Sequence, residues 1–410
     1  MNRLIIILLV SLGLRLIGIG QSLWLDEAIS ANVAKNYSYS QIITEFSKSD
    51  FHPPLYYLTL KTWGSVFGFG VIELRLMSVL FCLITIFLVY KIAGENAAWL
   101  TSFNPLLIYY SQEARMYSMV TMLLIGGIYF LIKKKYILTS VFFGLSLLTF
   151  YGSIFLIVSV GLYLLVKKKF KEIAIISIGP LIGLITIWPL LRNQLLMSRE
   201  MLGIVTNWDL VLGKANLKNL LMIPLKFTSG RISFYPKVLY YLISGLWMIW
   251  VFKNLFKKNI YGYIFWVSLI IGTIFSIFTP MLQYFRFLYL IPILAIMIEN
   301  QKIKYGFLIF GLVYLLIPKF HREDWKGMVV ELPKKVYMIK SFYDPVSFYN
   351  QNILIEDIRS EITEDEITVI PYGETIHGVD HQQILKNQKY RLTKINNYRE
   401  ITSEEWTKEK

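Results

Sequence analysis

The sequence predicts an all-α polytopic membrane protein of about eleven transmembrane helices, followed by a small soluble α/β domain. Three observations predict it. Of the 410 residues, 55% are hydrophobic and the mean hydropathy is +0.51, too apolar for a water-soluble chain of this size. The apolar residues come in runs near the length that crosses roughly 30 Å of hydrocarbon, and backbone amides in lipid must bond within their own segment, so each run should be a helix. Charge is segregated as well. Residues 321–410 hold 13 Lys/Arg and 16 Asp/Glu, net −3, which leaves 29 and 11, net +18, in residues 1–320.

In order, the spans are expected near 4–20, 70–90, 97–110, 116–132, 136–150, 152–166, 172–192, 236–252, 260–279, 286–299 and 304–319. The first resembles a secretory signal, but Arg15 interrupts it and no small-residue cleavage site follows, so it reads as a retained helix. The single cysteine, Cys82, lies inside an apolar run, so the chain forms no internal disulfide. With the N-terminus cytoplasmic, every inward loop carries lysine: Lys91, Lys133–Lys135, Lys167–Lys169 with Lys171, Lys253 with Lys257 and Lys258, and Lys302 with Lys304. Basic residues in short clusters between apolar runs are a topology signal, which excludes a nucleic-acid partner. The chain is therefore expected as a multi-pass plasma-membrane protein with its C-terminus extracytoplasmic.

That topology divides the chain into a transmembrane domain, residues 1–319, with outer-face loops 21–69 and 193–235, and a small extracytoplasmic domain, residues 320–410. In the latter, Asp324–Leu332 and Pro345–Gln351 read as helices. Val336–Lys340, Ile353–Ile358, Ile367–Ile370 and Tyr390–Ile395 read as strands. Asp324 suits a helix N-cap and Trp325 an interfacial anchor. Of the eleven acids before residue 321, eight fall at or near the outer boundary. Chemistry is expected on that side.

Asp26 and Glu27 follow the first span at the membrane boundary, where acids are costly to desolvate. Asp26 is a candidate base for an acceptor hydroxyl. Adjacent helical residues diverge by about 100°, so Glu27 should hold a different role. The plain alternative leaves both solvated at a helix end. Phe51-His52-Pro53-Pro54-Leu55-Tyr56-Tyr57 places His52 in a proline-fixed turn, either as a solvated loop residue, a donor to phosphate, or a metal ligand. In Ser111-Gln112-Glu113-Ala114-Arg115-Met116-Tyr117, the groups Glu113, Arg115 and Tyr117 enter an apolar boundary. Arg115 suits bidentate phosphate binding, and the i,i+2 spacing on a helix argues against a simple Glu113–Arg115 pair. Arg15, Arg75 and Arg286 are costly in lipid and should each find an anion. Arg75 has Glu73 or Asp26 in prospect, Arg286 suits a lipid phosphate, and Arg15 reads as structural.

These motifs, with Arg75-Leu76 opening the second span and Arg286 beside a Tyr-rich late span, resemble the GT-C glycosyltransferases over residues 1–330. The similarity is to the protein-O-mannosyltransferase and aminoarabinose-transferase branch, which the Asp-Trp-Lys after the last span also resembles. The resemblance implies an inverting hexosyltransferase, with mannose the family's usual sugar. It would move sugar from a polyprenyl-phosphate donor in the membrane lipid to a protein, lipid or glycan acceptor on the extracytoplasmic face. It implies Asp26 as catalytic base, with Glu113 catalytic in positioning donor or acceptor. Glu27, His52, Arg75, Arg115, Tyr117 and Arg286 would bind substrate. Phe51 stands where the aminoarabinose branch has an acid and a metal, and Phe150-Tyr151-Gly152 lacks a histidine often found there. No metal is therefore assigned and no cofactor expected, although the resemblance leaves a divalent ion open. The competing reading is a lipid-linked sugar flippase or polysaccharide polymerase-like protein without transferase activity. It should place ionisable groups mid-span, whereas these gather at one surface.

Overall fold

A computed structural model describes residues 2–253 and 259–409. Lys257 and Lys258, counted above among the inward lysines, lie outside them. Every apolar run contains helix, and a five-stranded sheet closes the C-terminal end. Among the described residues, three helices are long and apolar enough to cross a membrane: Val71–Phe103, Phe170–Ile204 and Ile260–Phe278. Five more are apolar but shorter, among them Tyr117–Ile132, Lys237–Phe252 and Ile303–Leu316. By length and composition, three of the described helices therefore reach a full span, and the remaining apolar runs form shorter or interrupted helices.

The differences have local causes. The expected break after residue 90 is a single kink at Gly94 (φ +81°), within the stretch Val71–Phe103. Beside it Arg3 pairs with Glu95 at 2.9 Å, tying the first helix, Asn2–Leu16, to this turn. The run 97–110 is cut at Asn104-Pro105. A residue before proline resists the α conformation, and the Asn104 side chain instead caps Pro105–Ser111 by accepting from Leu106 and Leu107 N–H at 3.0 Å each. Both expected outer loops are largely helical. Leu25–Asn36 and Leu55–Phe67 fill the first, and the long helix Phe170–Ile204 extends into the second, followed by Trp208–Leu212 and Leu217–Ser229.

The C-terminal sheet has the order β2 (Leu354–Asp357), β1 (Lys335–Met338), β3 (Glu366–Val369), β5 (Ile401–Lys408), β4 (Tyr390–Tyr398). The first three strands are parallel, and β5 runs antiparallel to both β3 and β4. Helices Trp325–Glu331 and Asp344–Tyr349 match expectation, with Asp324 capping the former. Trp325 is not an interfacial anchor, however: it is fully buried in this domain's own core with Met328, Val336, Met338 and Trp406. β5 was not foreseen. The domain sits on helix Leu25–Asn36 through Asn32, whose side-chain N–H groups donate to Asp344 and Ser347, and just before it through Leu23 N–H donating to Tyr349 at 2.8 Å. A second seam joins Asn207 to Thr375 and Ile376.

Candidate active site

Helix Leu25–Asn36 begins at Trp24, which puts Asp26 and Glu27 in its first turn, where the helix dipole favours anions. Their side chains part as helical geometry demands. Glu27 turns inward and is fully buried, while Asp26 keeps 36% of its side chain exposed.

Glu27 is the anchor of a closed network. Arg75 meets it bidentately, Nε to Oε1 at 2.9 Å and Nη2 to Oε2 at 2.7 Å, and Ala114 N–H donates to it at 2.8 Å. Arg322 Nε lies 3.5 Å away. Burial alone would raise this carboxyl's pKa, but Arg75 and Arg322 more than offset it and hold the group ionised. The remaining Arg75 donors go to Ile19, Gln21 and Ser22 carbonyls at 2.6–2.9 Å. All five guanidinium N–H groups are thus committed within the protein. The expectation that Arg75 and Glu27 touch substrate gives way to a geometric fact: they are sealed beneath the site, pinning the turn that presents Asp26. Neither Glu73 nor Asp26 is the Arg75 partner.

Residues 112–116 are not the start of a helix but the turn between Pro105–Ser111 and Tyr117–Ile132, so Glu113 and Arg115 find separate partners. Arg115 donates to the Asp26 carbonyl at 3.3 Å and Ser30 Oγ at 3.2 Å, with Nη2 3.5 Å from the Asp26 carboxylate. Glu113 lies 3.6 Å from Arg322 Nη2 and is fully buried. Neither of its oxygens has a well-formed hydrogen bond, and the same holds for Nε of Arg115 and of Arg322. Burial pushes the Glu113 carboxyl up to about 7, against the opposing pull of Arg322. Buried polar atoms left unmatched are rare in folded proteins, and four of them gather here.

The other expected residues close around Asp26. His52 Nδ1 is 3.2 Å from Asp50 Oδ1, and Gln194 fixes their turn by donating to the Ser47 and Asp50 carbonyls at 2.6 Å. Asp50 lies within electrostatic reach of Arg115. Tyr117 is buried, edge-on to Tyr110, Phe150 and Phe285. Arg286, half-buried, sits within electrostatic reach of Tyr117 and Asp26 and donates only a long bond to the Pro280 carbonyl at 3.4 Å. Among the described residues no three His, Cys, Asp or Glu side chains gather as a metal site. Arg15 is buried without the anion expected for it, held by Cys82 Sγ at 3.2 Å and the Ser11 and Ser102 carbonyls.

Sequence reasoning missed Arg322, Asp50 and Arg231. Arg322 joins Glu27 and Glu113 and stacks on Tyr109 at 4.3 Å. The signal was its place as the first arginine after the last apolar run, hidden beside the helix-capping Asp324. Arg231 also packs on Tyr109, at 4.9 Å.

The acid cluster thus sits on a scaffold of apolar helices capped by a small mixed sheet. The fold is that of ArnT. The chain superposes on ArnT from Cupriavidus metallidurans bound to undecaprenyl phosphate with a TM-score of 0.57 and 12% identity, over 98% of this chain and 97% of that one. Apo ArnT from the same organism gives 0.47 and 10%. The sequence matches no protein-family model and no curated relative.

Proposed function

We propose that the protein transfers a sugar from a polyprenyl-phosphate donor to an acceptor hydroxyl at the extracytoplasmic membrane face, with inversion at the anomeric carbon. The observation that carries this reading is the division of labour between adjacent acids. Glu27 is buried and spent on Arg75, whereas Asp26 is half-open, fixed by the same turn and flanked by Arg115. A carboxylate so placed takes the acceptor proton as the hydroxyl oxygen bonds to the anomeric carbon and the bond from that carbon to the phosphate oxygen breaks. The polyprenyl phosphate leaves with the bonding electrons, and Arg115, Arg286 and His52 offset its charge. The ArnT fold, seen in a neighbour bound to undecaprenyl phosphate, supports a lipid-phosphate donor. A monophosphate leaving group met by two arginines needs no metal, so we expect transfer to survive chelation.

The test is transfer by purified protein in lipid from a panel of polyprenyl-phosphate sugars, mannose among them. Asp26→Asn should lower transfer roughly a hundred- to ten-thousandfold while leaving donor binding intact. Undiminished transfer by that variant would remove Asp26 as the base.

A further inference from the structure

A second cationic cavity adjoins this site. It encloses about 410 Å³ between the outward end of helix Ile303–Leu316, the segment 231–237 and the start of helix Leu25–Asn36. Arg231, Lys237, Lys319 and Arg322 line it together with Trp24 and Tyr109. Arg322 also meets Glu27 and Glu113, and Trp24 opens the helix that carries Asp26, so the two spaces adjoin.

The cavity's charge is unbalanced from within. Arg231 has the Tyr284 hydroxyl at 3.2 Å and the Tyr109 ring, Lys237 has Ser233 Oγ and the Tyr235 ring, and among the described residues neither has a carboxylate within 4 Å. Lys319 is exposed. Two acids also face the space. Glu323 is engaged by the Tyr372 hydroxyl at 3.0 Å and Trp325 Nε1 at 2.7 Å, which leaves Glu400 as the one uncommitted acid among the described lining residues. Arg231 and Arg322 pack on one tyrosine, but Arg322 already meets Glu27 and Glu113, whereas Arg231 reaches Glu113 and Glu323 only through longer-range electrostatics. Behind them Lys226, buried, holds only the Ile232 carbonyl and the Tyr240 hydroxyl. Trp24 also lines the cavity, and its buried indole N–H has no acceptor among the described residues.

A monophosphate donor brings one anion, and the proposed function already gives it Arg115, Arg286 and His52. The second cationic set is surplus to that donor. Resting on that reading, we infer that this cavity binds an anionic group, phosphate or carboxylate, carried by the acceptor beside the hydroxyl that is glycosylated. An acceptor anchored there stands along the helix turn that presents Asp26. The volume suits a charged group with a sugar-sized body.

The test uses the full-length protein in phosphatidylcholine nanodiscs with methyl phosphate as probe, read by ³¹P line broadening, and undecaprenyl phosphate binding measured in parallel. Arg231→Gln and Lys319→Gln alter exposed positions, and near-ultraviolet circular dichroism checks their folding. Each should weaken methyl phosphate binding about tenfold, the worth of one charge-assisted hydrogen bond, and leave undecaprenyl phosphate unchanged. Arg286→Gln should do the reverse. For acceptors that are consumed, removing their phosphate should raise KM about tenfold in the wild type and not in Arg231→Gln. Methyl phosphate binding indifferent to both cavity variants overturns the inference. So does loss of undecaprenyl phosphate binding in Arg231→Gln, which would give the cavity to the donor. Displacement of the probe by phosphatidylglycerol would assign it to bulk lipid headgroups and equally overturn the acceptor claim. Methyl phosphate bound through Arg231 in a protein that transfers no sugar would leave the anion site standing and sink the catalytic reading alone.

Discussion

At the scale of single residues, the site works by giving adjacent or like side chains different surroundings. Glu27 and Glu113 are both buried, yet one is saturated by Arg75 and the other is left with a distant Arg322. Glu113 therefore titrates near neutrality. Below about pH 7 it is neutral, so Arg75 and Arg322 face a single carboxylate and the site attracts anions. Above it the second charge cancels that excess. The KM for an anionic donor should thus rise through an inflection near pH 7, and Glu113→Gln should erase the inflection and hold the low-pH value. Arg75→Met leaves Glu27 buried without its main partner. It should cost about 3 kcal/mol or more of stability in a detergent-unfolding titration, because an unpaired buried charge is costlier than the pair was valuable. The residue types were readable from the chain. Which acid would face inward was not, since that depends on where helix Val71–Phe103 delivers Arg75.

At the scale of elements, periodicity located helices but not their interruptions. The run 97–110 looked continuous by hydropathy, and the competing signal was the Asn-Pro step. Asn104 also donates to the Phe227 carbonyl at 2.8 Å, so Asn104→Ala should remove both cap and tether. The expected loss is about 1–2 kcal/mol in the same titration. β5 escaped because polar residues face inward. Glu404 is buried, accepting from Trp406 at 3.0 Å and meeting His381 at 2.8 Å, which hides the strand's apolar alternation. Glu374 holds the other His381 nitrogen at 2.8 Å and belongs to the segment that reaches Asn207. Burial alone would lower the His381 pKa, but the two carboxylates outweigh it and raise it above the usual histidine range. A raised histidine stabilises fully below its unfolded pKa and loses that contribution as pH climbs through its folded value. Hydrogen-exchange protection over residues 373–380 should therefore fall from pH 6 towards alkaline pH. His381→Gln should flatten the dependence at a cost of about 2 kcal/mol at pH 6.

At the scale of the whole molecule, lipid constrains the backbone so strongly that fold class was legible from composition and charge placement alone. The same architecture persists at 12% identity to ArnT. Convergence of the site was less legible, because it joins distant segments. Asp26 lies on helix Leu25–Asn36, Glu113 and Arg115 on a turn between apolar helices, Arg286 on a late turn, and Arg322 where the C-terminal domain begins. Only motif resemblance tied the first four together, and the signal for Arg322, its place as the first arginine after the last apolar run, was masked by the adjoining helix cap.

The most direct measurement compares wild type and Asp26→Asn in proteoliposomes, with donor binding and sugar transfer measured on the same preparation. The account predicts an unchanged donor Kd and a rate lowered roughly a hundred- to ten-thousandfold, indifferent to chelator in the wild type. Transfer at the wild-type rate by Asp26→Asn would contradict it.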